Sequence, residues 1–295
     1  MAKTTAVPLG NERLPLVTLS LCQRNQNFIQ KDRLHSIHYF DDPVAAYSRL
    51  APHFADFSSR RKSYLRGIEK CILSRISNNA KALLDVGAGD GSRALRIASE
   101  AGISDVVLIE PSKEMSAEAK GAAEVWNLRA EGMGDHCPLA QDGRPRHFDV
   151  IICRWNVLGH VRGIEDRVRA LRAMNDLLAP TGRCFLDVTH RYNLRSYGVF
   201  PTLARFIRDS IFYKGETADV TATWEVRDEA ISTFGHVFTD REIRDAARAA
   251  GLEIEERIVV DYDTGKIRRF AFTGNLLYVL RRKSIIDSAS APQTS

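Results

Sequence analysis

Short apolar runs alternate with amphipathic segments along most of the chain, and this alternation predicts an α/β fold. The first five predicted strands span residues 82–86, 106–109, 125–130, 148–153 and 184–188. The segments between them carry apolar residues at helical spacing, which indicates right-handed crossovers and a parallel sheet. Because such sheets bind ligands at the carboxyl ends of their strands, the candidate site is formed by the residues that follow each strand.

The alternation is interrupted at residues 190–238, which hold one helical segment and two β-like runs. This insertion follows the fifth predicted strand and therefore lies beside the candidate site, so we predict a small α+β substrate cover. The alternation resumes at Thr239, where a capping-box pattern starts a helix that Gly251 ends. Two closing strands are predicted at residues 253–260 and 276–281.

Residues 42–283 are predicted to form a single domain. Asp42-Pro43 is typical of a helix start, and residues 42–78 are predicted to be a helical extension that covers the sheet or closes over the ligand as a lid. Residues 1–41 have weak periodicity and are predicted to be a loosely ordered arm. The polar residues 284–295 are predicted to be a disordered tail.

A glycine-rich turn follows the first predicted strand. Asp85 lies near the strand's end, and Gly87, Gly89 and Gly91 follow at alternate positions before a helix begins. Glycines at these positions let a ligand approach the backbone N–H groups. The spacing differs from the G-x-G-x-x-G of dinucleotide sites, and an acid here would repel a pyrophosphate but pair with an ammonium group. The turn therefore favours S-adenosylmethionine (SAM) over a nicotinamide dinucleotide, which stays open as an alternative.

Acidic residues also follow the second and third predicted strands. Glu110, followed by Pro111, lies about 20 residues after the glycine turn, where a carboxylate can accept both hydroxyls of a ribose. Both classes of nucleoside-binding fold share this feature, so it supports an adenosyl ligand without choosing between them. The adenine ring is expected beside Glu131, Gly132 and Met133, at the end of the third strand.

Composition and cysteine spacing narrow the class of protein. An apolar content of 44% with 27% charged residues is typical of a globular protein. The five cysteines form neither a C-x-x-C pair nor a zinc-ligand spacing, so we predict no bound metal and reduced thiols in a cytoplasmic protein. No apolar run reaches the length of a membrane span, so no membrane partner is expected.

The net charge of +5 raises the alternative of a nucleic-acid partner. Basic residues cluster within residues 60–70, 266–269 and 281–283, and such clusters can contact phosphates. However, 37 acidic residues are spread among the 42 basic ones, and no RNA-binding module accompanies the clusters. We therefore interpret them as solvated surface and do not expect a nucleic-acid partner.

Residues 42–283 resemble the class I SAM-dependent methyltransferases. The resemblance rests on the motifs LLDVGAGDGS, LIEPS, FDVIICRWNVLGHV, LLAPTGRCFLDV and FTDREIRDAARAAGLEI. It implies a doubly wound, Rossmann-like sheet of seven strands with the last strand antiparallel. It also implies that SAM is the cofactor and that Met115 and Cys153 belong to the SAM-binding residues.

The segment ICRWNVLGHV is similar to the corresponding segment of glycine and sarcosine N-methyltransferases. This resemblance implies that Asn156 holds the carboxylate of the substrate, and that Arg60 binds the carboxylate of SAM. The family's D-x-R-N-Y motif after the fifth strand is only partly present, because Arg191 and Tyr192 are displaced from it. The expected substrate is therefore a small amine or hydroxyl compound rather than glycine itself.

The expected chemistry is an in-line displacement, in which the protein aligns the acceptor with the methyl group and excludes water. An amine acceptor must arrive neutral and needs no dedicated base. A hydroxyl acceptor needs one, and His160 and His190 are the candidates. Tyr47 is a candidate substrate-binding residue.

Several functions stay open at this stage. The leading prediction is a methyltransferase that acts on a nitrogen or oxygen of a small molecule, with a homodimer left open. A methyltransferase acting on RNA or protein is the first alternative, although the chain lacks the N/D-P-P-Y/F turn of amino-methylating nucleic-acid enzymes. A SAM-binding protein without catalysis is the second.

Overall fold

A mostly parallel sheet forms the centre of the molecule, in a computed structural model that describes residues 42–117, 119, 124–136, 143, 146–212, 218–226 and 229–283. Its strands are β1 (Ala82–Val86), β2 (Asp105–Ile109), β3 (Glu124–Trp126), β4 (Phe148–Cys153), β5 (Leu178–Val188), β8 (Leu252–Val260), β9 (Ile267–Arg268) and β10 (Asn275–Arg282). Their order in the sheet is β3-β2-β1-β4-β5-β10-β8-β9, and β10 runs antiparallel between β5 and β8. The predicted Rossmann-like sheet is confirmed, and the two-residue strand β9 at its edge is an addition.

Helices cover both faces of the sheet, because successive strand residues point to opposite faces and both faces are apolar. One face packs against α7 (Ile164–Leu177) and α10 (Asp240–Ala249). The other packs against α3 (Lys62–Leu73) and α4 (Ser92–Ala101). None of the described helices is long and apolar enough to cross a membrane. The helices are α1 (Pro43–Leu50), α2 (Phe54–Ser59), α3 (Lys62–Leu73), α4 (Ser92–Ala101), α5 (Lys113–Ala117), α6 (Met133–His136), α7 (Ile164–Leu177), α8 (Leu194–Tyr197), α9 (Val199–Phe212) and α10 (Asp240–Ala249).

A separate hairpin lies beside the carboxyl ends of the strands. Strands β6 (Asp219–Val226) and β7 (Glu229–His236) pair antiparallel within the insertion after β5. Residues of this hairpin pack with α1 and α2 in a third apolar cluster, which includes Leu50, Phe54, Met115 and Ile231. The N-terminal helices and the insertion therefore meet each other at the edge of the sheet where ligands of parallel sheets bind.

Two strands differ clearly from their predicted boundaries. Strand β5 starts at Leu178, six residues earlier than predicted, and its pairing with β4 has a register irregularity between Phe148 and Val150. Strand β3 ends at Trp126, and Ala130, the last residue predicted for this strand, begins a 3₁₀ turn, Ala130–Gly132. The predictions for residues 1–41 and 284–295 lie outside the described residues.

Candidate functional site

The glycine-rich turn between β1 and α4 forms one wall of a pocket. Gly87, Gly89 and Gly91 have φ angles of +70°, +62° and +68°, a region that other residues rarely adopt. A Cβ atom on Gly89 would lie 3.1 Å from the Met115 side chain and 3.2 Å from the Phe54 ring. Glycine at this position therefore satisfies the backbone conformation and keeps the pocket open.

The pocket has a volume of about 770 Å³, which includes its opening to solvent. It lies between the glycine turn, the residues that follow β2, β3 and β4, and the N-terminal helices. Its lining residues are Pro43, Val44, Tyr47, Phe54, Gly87, Gly89, Glu110, Pro111, Met115, Leu128, Arg129, Ala130, Glu131, Arg154, Trp155, Val157, His160 and Val161.

Glu110 is held rigidly at the pocket wall by two backbone N–H groups. Its Oε2 accepts from the N–H of Gly89 and its Oε1 accepts from the N–H of Ser112, both at 2.9 Å. Burial raises the pKa of Glu110, and these two hydrogen bonds act in the opposite direction. A carboxylate has about four acceptor positions, so two are left for the hydroxyls of a ligand.

A buried ion pair lies at the carboxyl ends of β1 and β4. The Nη2 of Arg154 donates to Oδ2 of Asp85 at 2.7 Å, and both residues are at least 90% buried. Burial raises the pKa of Asp85, whereas Arg154 opposes this shift. Arg154 lines the pocket and its buried Nε has no hydrogen-bond partner, whereas Asp85 does not line the pocket. An unpaired buried donor of this kind is costly unless a ligand accepts from it.

These residues fit SAM. The carboxylate of Glu110 can accept from ribose hydroxyls, and the glycine turn gives close access to the backbone. Arg154 offers a positive charge at the pocket wall to the carboxylate of an amino-acid end, and Asp85 pairs with Arg154 from outside the lining.

Tyr47 and His160 form a hydrogen bond across the pocket. The hydroxyl of Tyr47 lies 3.2 Å from Nε2 of His160, and Nδ1 of His160 lies 2.8 Å from the carbonyl oxygen of Phe234. Because a carbonyl only accepts, Nδ1 carries the proton and Nε2 is the acceptor for the Tyr47 hydroxyl. Burial lowers the pKa of His160, so the ring stays neutral and its Nε2 can accept a proton.

The turn after β4 is held in an unusual conformation by the end of β5. Trp155 and Asn156 have φ angles of +53° and +64°. The carboxylate of Asp187 accepts from the N–H of Trp155 at 2.9 Å and from the Tyr64 hydroxyl at 2.5 Å. The Asn156 side chain accepts from the N–H of Thr189 at 2.9 Å. A strained turn persists only where its surroundings fix it, and this one carries Trp155 into the pocket wall.

Aromatic rings from three segments cluster at the same end of the pocket. Tyr47 lies 5.0 Å from Trp224 between ring centroids, and Phe57 lies 5.5 Å from both Trp224 and Trp155. Trp224 belongs to the β6–β7 hairpin, whereas Tyr47 and Phe57 belong to α1 and α2. Aromatic faces attract cations, so this cluster offers a favourable environment for positive charge.

The structure brings eight of the predicted site residues together in the pocket: Tyr47, Gly87, Gly89, Glu110, Pro111, Met115, Glu131 and His160. Gly91 is the N-cap residue of α4 and does not line the pocket. Asp85 does not line it either, but pairs with Arg154, which does. Met133 and Cys153 are fully buried in the apolar core, and Gly132 lies beside the pocket in the 3₁₀ turn that contains Glu131.

The predicted substrate residues after β5 lie elsewhere. Arg191 is fully buried and its guanidinium pairs with Asp209 on α9, to which Tyr192 also donates. His190 is buried beside Phe272, and burial lowers its pKa to about 4. None of the three predicted residues lines the pocket.

Two further predicted residues have other contacts in the structure. Arg60 is exposed and donates to the carbonyl oxygen of Glu225 at 3.4 Å. It is not among the described residues that line the pocket. The Asn156 amide donates to the carbonyl oxygen of His236 at 3.0 Å and accepts from Thr189. Both ends of this amide are therefore occupied by the backbone.

Sequence reasoning missed Arg154, Phe54 and Leu128 as pocket residues. Arg154 had a detectable signal, because it directly follows the fourth strand, at the edge where ligands bind. Phe54 had none, since its contact with the pocket depends on how the N-terminal helices fold back over the sheet.

Comparisons with known proteins agree with this geometry. The sequence profile of the family described as "Methyltransferase domain" matches residues 57–257. No curated protein sequence matches the chain significantly.

Solved methyltransferase structures share the fold. The CcbJ methyltransferase of Streptomyces caelestis is 17% identical with a TM-score of 0.53, covering 74% of this chain and 90% of that one. A SAM-bound amino pentose methyltransferase of Micromonospora echinaspora is 18% identical with a TM-score of 0.53, covering 85% and 100%. A sugar N-methyltransferase of a Streptoalloteichus species is 16% identical with a TM-score of 0.50, covering 88% and 100%. The chain belongs to the methyltransferase-domain family and is a SAM-dependent methyltransferase.

Proposed function

We propose that this enzyme methylates the nitrogen of a small-molecule amine that binds beside Tyr47 and His160. The observation that carries the proposal is the hydrogen bond between these two side chains, which lies within the same pocket as the glycine turn and Glu110. The cofactor residues we assign are Gly87, Gly89, Glu110, Pro111, Met115 and Glu131. Arg154 is assigned to the carboxylate of SAM in place of Arg60.

When bound, SAM supplies a methyl group that is already activated by the positive charge on sulfur. The protein's part is to hold the acceptor in line, exclude water and take the proton of an amine that binds as an ammonium, because only the neutral amine has the lone pair that attacks the methyl group. His160 suits the last of these tasks, because its neutral Nε2 is a proton acceptor to which an N–H of the amine can donate in place of the Tyr47 hydroxyl. The carbonyl oxygen of Phe234 holds Nδ1 on the opposite side of the ring and fixes the direction in which Nε2 points.

The aromatic cluster favours an amine over a hydroxyl acceptor. Methylation of an amine leaves a positive charge on nitrogen, whereas methylation of a hydroxyl leaves a neutral ether. Rings of Tyr47 and Trp155 line the pocket, and a cation near such rings gains on the order of 0.5–2 kcal/mol. Among the structural neighbours, one is named a sugar N-methyltransferase and another an amino pentose methyltransferase.

A small acceptor fits the pocket better than RNA or protein does. We assign residues 42–283 to one domain in which residues 42–78 and 190–238 cover the site. Tyr47 of α1 lines the pocket and contacts Trp224 of the hairpin, so the insertion packs against the pocket wall. The glycine-like substrate is not part of the proposal, since Asn156 and Arg191 have other partners.

The proposal is tested with matched pairs of acceptors, each an amine and the alcohol of the same skeleton, incubated with SAM that is labelled on its methyl group. We expect label in the amine products, identified by mass, and little in the alcohols. Methylation of alcohols in preference to their amines would contradict the assignment to nitrogen, and transfer to neither with intact SAM binding would contradict the small-molecule proposal for that panel.

A further inference from the structure

Helix α9 is amphipathic in the inverse sense: its polar face is buried and its apolar face is exposed. Thr202, Arg205 and Asp209 are each at least 94% buried. The apolar residues on its other face are exposed by 47–85%; they are Val199, Phe200, Leu203, Phe206, Ile207 and Ile211. A surface helix normally turns its apolar stripe toward the core, so this orientation needs an explanation.

The buried face is fixed by a polar network. The Arg191 guanidinium donates to both oxygens of Asp209, at 2.6 Å and 3.0 Å. Tyr192 donates to the same carboxylate at 3.0 Å, and Arg205 donates to the carbonyl oxygen of Arg191 at 2.7 Å. Turning α9 over would separate a buried ion pair, which is strongly unfavourable, so the apolar face is held outward.

Three residues in β9 and the segment that follows it are also apolar and exposed. Ile267, Phe270 and Phe272 are 61%, 66% and 45% exposed. Ring contacts that pass through the buried His190 connect this segment to α9, from Phe272 through His190 and Tyr192 to Phe206, with centroid distances of 6.0, 5.9 and 5.4 Å. We define the α9 patch as the six exposed apolar residues of α9 together with these three.

The size of the α9 patch points to a second copy of this chain. Its nine side chains expose on the order of 900 Å² of apolar surface, whereas a monomer's largest patch is typically about 300–600 Å². Each partner of a standard protein interface buries roughly 800 Å², and interfaces between identical chains are the more apolar ones. We infer that the α9 patch is the self-complementary interface of a homodimer, with the same face contributed by both protomers.

A lipid surface fits the patch less well. A helix that lies on a membrane keeps a strongly charged face in water opposite its apolar face. In α9 the opposite face is buried against the protein, and Arg208, which lies near Asp209, is its exposed charged residue. The helix therefore lacks the solvated basic face that anionic lipids attract.

The inference is tested by the oligomeric state of the full chain, measured by sedimentation equilibrium over a wide concentration range. We expect the wild-type chain to reach twice its monomer mass. The variant Phe200→Glu/Leu203→Glu places four carboxylates in the dimer interface and should raise the dimer Kd at least about 100-fold. The matched control is Ile164→Glu, because Ile164 is 54% exposed at the start of α7, outside the patch, and its variant should dimerise normally.

Thermal unfolding and SAM binding of all variants establish that the fold is retained. A wild-type chain that is monomeric throughout would overturn the inference. So would a dimer that the patch variant weakens no more than the control does. Co-sedimentation of a monomeric wild type with anionic phospholipid vesicles, lost in the patch variant, would reassign the patch to a lipid surface.

Discussion

The hydroxyl of Tyr47 lies 3.2 Å from Nε2 of His160, although the two residues are 113 positions apart in the chain. Tyr47 belongs to α1 and His160 to the turn after β4, and Phe234 of the β6–β7 hairpin holds the other ring nitrogen. One imidazole therefore connects the N-terminal helices, the sheet and the insertion. This connection places a neutral imidazole at the pocket, where the N-terminal helices meet the insertion.

Removing either side chain of this pair should reduce turnover while leaving SAM binding intact. His160→Gln removes the base, and kcat should fall by about 100-fold or more. Tyr47→Phe removes only the hydroxyl that orients it, so the loss should be smaller. Tyr197→Phe is the control, because this hydroxyl lies outside the pocket lining. If His160→Gln raised the Kd for SAM and left kcat unchanged, the assignment of His160 to the acceptor would be wrong.

Glu110→Gln should weaken SAM binding by about 10–100-fold, because a hydrogen bond to a charged group contributes about 1.5–3 kcal/mol. Both Glu110 oxygens accept from backbone N–H groups, and an amide nitrogen in place of either oxygen would face a donor. Glu114→Gln is the control, since Glu114 lies on α5 outside the pocket lining. Calorimetric titration with SAM measures both. Equal affinities of the two variants would exclude Glu110 as the ribose ligand.

Gly89→Ala and Gly102→Ala separate backbone strain from pocket shape. Both glycines have positive φ, +62° and +70°, so each substitution should cost about 1 kcal/mol of stability. A Cβ on Gly102 meets nothing within 4 Å, whereas one on Gly89 meets pocket side chains. We expect at least about tenfold weaker SAM binding for Gly89→Ala alone. The same loss in both variants would show that the effect is one of folding.

Arg154→Met should weaken SAM more than it weakens methylthioadenosine, which shares the adenosyl group but lacks the amino-acid end. The reason is that Nε of Arg154 is a buried donor without a partner in the protein, at the pocket wall. The measurement is the ratio of the two dissociation constants in wild type and variant, which cancels general effects on the fold. An unchanged ratio would show that a residue other than Arg154 binds the carboxylate of SAM.

His190 should make stability depend on pH without acting in catalysis. Burial lowers its pKa to about 4 from 6.5, so between these values the unfolded chain binds a proton that the folded chain excludes. Stability from this group is complete above pH 6.5 and falls as the pH drops toward 4. When the pH is raised from 5 to 7.5, the free energy of unfolding of the wild type should increase by about 2 kcal/mol relative to that of His190→Gln.

Urea unfolding of both chains at the two pH values measures this difference. Asp187, whose pKa burial raises to about 6, shifts stability in the opposite direction, but it is present in both chains and cancels. A difference that stays constant with pH would show that His190 is not buried in its neutral form.

Local sequence patterns were sufficient for the existence of the main strands and for the glycine turn and Glu110, which line the pocket. The glycine turn and Glu110 directly follow apolar strands, so their positions depend on a few neighbouring residues. His160 and Tyr47 were also predicted as site residues, and both line the pocket. Nothing in the sequence indicated that they contact each other.

The residues after β5 show why the rest could not be predicted. His190 and His160 both follow a strand of the parallel sheet, yet one is buried beside Phe272 and the other reaches the pocket. The difference depends on how the insertion folds, because Arg191 turns inward to pair with Asp209. Such long-range pairings have no signature in a single sequence.

The most direct test of the account uses SAM labelled on its methyl group, mixed with the purified enzyme and a cell extract that has been separated by size. The account predicts label in the low-mass fraction, retained with Glu114→Gln and strongly reduced with Glu110→Gln and His160→Gln. Label in the RNA or protein fraction, or transfer that His160→Gln leaves unchanged, would contradict it.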